Sequence, residues 1–105
     1  MSGGVLGLLG LGLRAGHVVI GVDGVRRSLQ AGQVRCVVVA SDASPRAVQK
    51  VIRLAEAQGV PLVAGPAADE MGRQLGRPPV MVAGVRDRAL AEGLGRLSRE
   101  VPEEE

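Results

Sequence analysis

The sequence predicts an α/β protein, a three-layer α/β/α sandwich with a central mixed sheet of about four strands. Two observations carry that expectation. Short runs of β-branched residues alternate with segments whose apolar residues recur at helical spacing, and such alternation argues a sheet with helices on both faces. The connections between these segments are short, which keeps neighbours in sequence close in space. A third feature sets the character of the core. The 105 residues are 46% apolar yet include no Phe, Tyr or Trp, so the interior must be aliphatic.

Residues 1–16 read as a glycine-rich helix with Val5, Leu8, Leu9 and Leu13 as its apolar positions and Gly16 as its stop. Each of its glycines weakens a helix interior by about 1 kcal/mol against alanine, so packing must hold it. Gly10-x-Gly12-x-x-x-Gly16 is a poor dinucleotide fingerprint, because no strand precedes it. Val18–Ile20 is a short strand. A helix follows from Gly21 to Gly32, with Val22, Val25 and Leu29 on one face and Arg26 and Arg27 on the other.

Residues 35–40 (RCVVVA) form the strongest strand signal, a continuous apolar run that fits burial on both faces. Ser44 as N-cap and Pro45 at the first helical position open a helix reaching about Gln58. Val48, Val51, Ile52 and Ala55 should point inward there, and Arg46, Lys50, Arg53 and Glu56 outward. Residues 60–64 (VPLVA) read as a buried strand, with Pro61 at its start or at a sheet edge. Asp69 and Glu70 suit the first turn of a short helix that uses Met71 and Leu75. Arg77-Pro78-Pro79 is a stiff loop, Val80–Val85 a further strand, and Asp87 caps a last helix carrying Leu90, Leu94 and Leu97. Residues 1–99 are thus expected to form one domain. Residues 100–105 form an acidic tail expected to be disordered.

Composition narrows the chemistry. Residues 1–99 carry 13 basic against 7 acidic side chains, a balance of +6, which suits a polyanion partner. Twelve of the bases are Arg. With no Phe, Tyr or Trp, base stacking on such rings, the usual single-strand device, is closed to the chain. Cys36 is the lone cysteine, which rules out an internal disulfide and fits a cytoplasmic protein. The leucine-rich start lacks the basic lead and cleavage site of a signal peptide and is too short to cross a membrane. His17 is the single histidine, no metal-ligand cluster appears, and no nucleophile elbow or phosphate-loop lysine is present. Asp42 lies in a loop after a central strand but has no partner base, and is read as turn chemistry. The expectation is a protein without enzyme activity, cofactor or metal.

Gly21-Val22-Asp23-Gly24-Val25-Arg26-Arg27 is the candidate site. A glycine-rich turn feeding a helix start offers unpaired N–H groups and the positive end of the dipole to a phosphate or other acceptor.

Five segments match one pattern in order: Ile20 to Gly32, Val37 to Pro45, Ala55-x-x-x-Gly59-Val60-Pro61, Met71-Gly72-x-x-Leu75-Gly76, and Val80 to Val85. Together these resemble the kink-turn-binding ribosomal-protein family (L-seven-Ae and L-thirty-e type), and within it the bacterial YlxQ-like members, over residues 5–97. The resemblance implies an α/β/α sandwich that binds structured RNA, kink-turn or ribosomal, rather than DNA, with the ribosome as a further implied partner. It implies that the start of the second helix enters the RNA. The residues concerned are Gly21, Val22, Asp23, Gly24, Arg26 and Arg27. A second contact is implied from the loop Arg77, Pro78, Pro79 and Val80. Gly21 and Arg27 match the family signature, whereas Asp23 stands where Asn is usual and Gly24 where Glu is usual. Asp accepts but cannot donate, and Gly has no side chain to read a base. The alternative is a protein-interaction module that keeps the fold and has lost specific kink-turn recognition.

Overall fold

The computed structural model describes residues 3–99; the expected acidic tail, 100–105, lies outside them. Nine elements follow in order: α1 (Gly3–Arg14), β1 (Val18–Ile20), α2 (Val22–Gln30), β2 (Cys36–Val39), α3 (Pro45–Ala57), β3 (Leu62–Ala64), α4 (Ala68–Leu75), β4 (Val82–Val85) and α5 (Arg88–Arg99). The strands form one mixed sheet in the order β1-β4-β2-β3. β4 runs antiparallel to both β1 and β2, with Val19 opposite Gly84 and Val37 opposite that same residue, while β2 and β3 are parallel.

The sheet separates two aliphatic cores, and this makes the three layers. On one face Leu6 and Leu9 of α1, Met71 and Leu75 of α4 and Leu94 of α5 close over Cys36, Val38, Ala83 and Val85. On the other, Val25 and Leu29 of α2 and Val48, Val51 and Ala55 of α3 close over Val37 and Val82. Alternate residues of β2 therefore feed opposite cores, as the pleat requires. The unbroken apolar run at the second strand is explained by this double covering.

Four expectations are corrected. Val5, Leu8, Leu9 and Leu13 of α1 do pack on the core, but its buried stripe also runs through Leu6, three residues before Leu9 on the same face. β3 takes the edge position that Pro61 allows, and there it is only half covered, with Val63 buried but Leu62 and Ala64 exposed. The last strand begins at Val82, not Val80, since the Val80 N–H turns away to the Ala68 carbonyl at 3.0 Å. Ser44 occupies the N-cap position of α3 with Pro45 in its first turn, but its hydroxyl makes no capping bond. Asp87 does cap α5, accepting from the Leu90 N–H at 2.9 Å.

Among the described residues no helix is long and apolar enough to cross a membrane.

Candidate nucleic-acid interface

One end of the sheet gathers the two candidate segments. β1 ends at Ile20, and the next residue, Gly21, donates its N–H to the Val82 carbonyl at the start of β4 (3.0 Å). That bond ties the entrance of α2 to the exit of the 77–81 loop. The same end holds the β2–α3 loop, where the Ala40 N–H donates to the Met81 carbonyl at 2.8 Å. Met81 is half-buried and packs against both cores, so it plugs the sheet end beneath these loops.

Gly21 is the N-cap of α2 at φ 97°, ψ 156°, a region that only glycine adopts without strain of about 1–3 kcal/mol. This is the local reason the turn begins with glycine. Val25 N–H closes the first helical bond on the Gly21 carbonyl at 3.0 Å. The N–H groups of Val22, Asp23 and Gly24 then have no partner within the helix, and no side chain caps it. Three donors and the positive end of the helix dipole point out of this turn.

The side chains around the turn are mixed in sign. Asp23 is exposed, and its Oδ1 lies 3.9 Å from a guanidinium nitrogen of Arg26. An exposed pair at that separation is worth only about 0.2–0.5 kcal/mol, so Arg26 is readily recruited by another anion. Arg27 is exposed and has no ion-pair partner among the described residues. Gly24 has a packing reason for lacking a side chain: a Cβ there would meet Val19 Cγ1 at 2.8 Å. A larger residue at this position would have to displace the Val19 side chain between β1 and α2.

The second segment divides. Arg77, Pro78 and Pro79 are exposed, whereas Val80 is buried in the α1/α4/α5 core. Val80 therefore anchors the loop by its side chain and presents none outward. The loop is seated on α4: the Arg77 N–H donates to the Gly72 carbonyl at 2.7 Å. Gly72 leaves the room for this, because a Cβ there would lie 2.2 Å from the Pro78 carbonyl oxygen.

Asp42 is a residue whose role sequence reasoning placed only locally. Its Oδ1 accepts the Ala68 N–H at 2.8 Å, which caps α4 from a different loop and ties two loops of this sheet end together. A short acid-containing loop before a proline-led helix was legible; that its carboxylate would cap another helix was not. His17 is exposed on the opposite end of β1. Cys36 is buried, and burial pushes its thiol up to about 11, where it is inert as a nucleophile. Among the described residues no three His, Cys, Asp or Glu side chains converge on a point that could hold a metal. The donors of this sheet end are backbone N–H groups and guanidinium groups, a set suited to holding an acceptor-rich partner.

Fold and site together define a small α/β/α sandwich with an open helix N-terminus at one sheet end. The chain belongs to the ribosomal protein L7Ae/L30e/S12e/Gadd45 family, whose model matches residues 5–94. Among solved structures it is similar to a protein with unknown function from Bacillus halodurans C, at 30% identity and TM-score 0.84, covering 90% of this chain and 96% of that one. It also shares its fold with the Giardia lamblia 15.5kD RNA binding protein, at 24% identity and TM-score 0.77, covering 92% of this chain and 83% of the other. No curated protein sequence matches the chain.

Proposed function

We propose that this chain is a non-catalytic RNA-binding protein that docks a kinked, structured RNA on the N-terminus of α2. The observation that carries the reading is the uncapped α2 entrance, with three outward N–H groups beside Arg26 and Arg27. Family membership and the fold shared with an RNA binding protein support it. The N–H groups accept base or phosphate oxygens. Arg27 clamps a phosphate or pairs with a base edge bidentately. Arg77, Pro78 and Pro79 form a second contact, held near the turn by the Gly21–Val82 bond. Asp23 repels phosphate and directs the backbone of the RNA toward the arginine side of the turn.

Titration of a kink-turn RNA and a matched straight duplex at two salt concentrations tests the reading. The kinked RNA should bind more tightly, and Arg27→Ala should weaken that preference while Arg53→Ala on α3 does not. Equal, steeply salt-dependent binding of both RNAs, indifferent to Arg27→Ala, would leave only non-specific charge attraction.

A second reading rests on Asp23 and Gly24, which replace the usual side-chain readers: the turn has become a protein-docking surface. Partners retained on the chain after ribonuclease treatment, together with no preference for the kinked RNA, favour it.

A further inference from the structure

A second basic feature lies at the other end of the sheet. There a cleft of about 590 Å³ lies between α5 and the β2–β3 side of the sheet. Its floor includes Cys36 of β2 and Val63 of β3, and its walls carry Arg35, Arg88 and Arg96, with Glu92 between the two helical arginines. All three arginines are exposed, and none has an ion-pair partner among the described residues. Arg35 donates its backbone N–H to the Val85 carbonyl at 2.6 Å. That places it at the end of β4 opposite Val82, about 10 Å along the strand from the residue that holds the α2 turn.

The spacing of these charges selects a ligand class. Arg88 and Arg96 are eight residues apart on α5, about 12 Å along the axis at 1.5 Å per residue. One small anion cannot bridge that span, but successive phosphates along one strand of a nucleic acid do. Three exposed arginines with only Glu92 against them leave the cleft with a local excess of positive charge, which a polyanion complements. Guanidinium groups also grip phosphate oxygens in a fork geometry that Lys lacks.

We propose that this cleft is a second RNA-binding surface, which holds the phosphate backbone of an RNA duplex without reading its sequence. The chain then bridges two RNA segments, a kinked one at the α2 turn and a regular one at α5. The proposal rests on the RNA-binding reading of the chain, but its site shares no residue with the α2 turn.

The test uses the full chain and a plain RNA duplex that contains no kink. Arg35→Gln combined with Arg96→Gln should weaken duplex binding. At about 0.9 per phosphate contact in the slope of log K against log salt, it should also reduce the loss of affinity between 50 and 200 mM salt by roughly tenfold. Binding of the kink-turn RNA should stay within about twofold. Arg27→Ala should show the converse. Arg46→Gln with Arg53→Gln removes the same charge from α3 and should leave duplex binding nearly unchanged. Arg88→Gln, a single exposed substitution, repeats the test should the double variant melt early.

Duplex affinity and salt slope unchanged in both cleft variants overturn the proposal while leaving the α2 reading intact. An equal loss in the α3 variant overturns it in favour of diffuse charge. A poly-glutamate peptide that binds the cleft where the duplex does not overturns it in favour of an acidic protein partner. Loss of kink-turn preference alone, with the duplex result as expected, counts against the α2 reading and not against the cleft.

Discussion

Gly72→Ala and Gly7→Ala make one chemical change in two helix interiors, and they should move stability in opposite directions. At Gly7 nothing lies within 4 Å of an added Cβ, so the substitution recovers helix propensity alone, a gain of about 1 kcal/mol. At Gly72 the same atom would lie 2.2 Å from the Pro78 carbonyl oxygen, 2.7 Å from its carbon and 2.8 Å from the Arg77 carbonyl oxygen. These are backbone atoms and cannot rotate aside. The loop must retreat by more than 1 Å, which strains the Arg77 N–H bond to the Gly72 carbonyl at 2.7 Å. Overpacking costs about 1–3 kcal/mol, and weakening a backbone hydrogen bond about 0.5–1.5 kcal/mol more. The propensity gain offsets about 1 kcal/mol of this. The net expectation is a destabilisation of about 1–3 kcal/mol, read as a lower urea midpoint at unchanged slope. The melting temperature should fall by roughly 4–8 °C per kcal/mol in a domain of this size. A Gly72→Ala variant that melts at or above the parent would refute the claim that α4 and the 77–79 loop are in close contact. The contact has a functional consequence too. Displacing Arg77, Pro78 and Pro79 should weaken RNA binding even though the α2 turn is untouched.

Three further outcomes are expected. Asp42→Ala removes the acceptor of the Ala68 N–H and should lower stability by about 0.5–2 kcal/mol by chemical denaturation; no loss would mean water replaces the cap fully. Gly24→Ala should gain less stability than Gly7→Ala, because its Cβ meets Val19, and Val19→Ala should relieve that contact, giving a coupling of about 0.5–2 kcal/mol in a double-mutant cycle. Independent effects would contradict the packing account of Gly24. Cys36 keeps its proton in the folded state up to about 11, whereas the unfolded thiol ionises near 8.5. The unfolded state therefore binds fewer protons between these values, and stability should fall as pH rises through about 9 to 11, by an amount on the order of 2 kcal/mol. Comparison with Cys36→Ser or Cys36→Ala isolates this slope; an identical slope in the variants would assign it to other groups.

The alternation of elements was legible because each has its own period: β-branched runs at residues 18–20, 36–39 and 82–85, and helical spacing in Val48, Val51 and Ala55. Strand order was not legible. Periodicity says which residues point to a core but not which strand lies beside which: Pro61 marks β3 as a candidate edge, but its neighbour and the central position of β4 emerge only from pairing. The start of β4 was misplaced for a related reason. Val80 is apolar because it is buried in the core, not because it is in the ladder, and composition cannot tell these apart. At the site, Gly21 and Arg27 were visible as types in a pattern. The cause of Gly24 was not, because it lies in the approach of β1 to α2, and the arginines of the α5 cleft come from segments far apart in sequence.

The central position of β4 has a consequence for biosynthesis. β1 is an edge strand whose neighbour is β4, and Val18 pairs with Val85, so the first strand made must wait for the last. β2, α3 and β3 are contiguous, so the pairing of β2 with β3 needs no later part of the chain. The turn at Gly21 depends on a later strand: its N–H is fixed by the Val82 carbonyl. The α2 entrance thus takes its final shape only after β4 has been made. A fragment ending before Val82 would keep every residue of the α2 turn and lack the acceptor that fixes it.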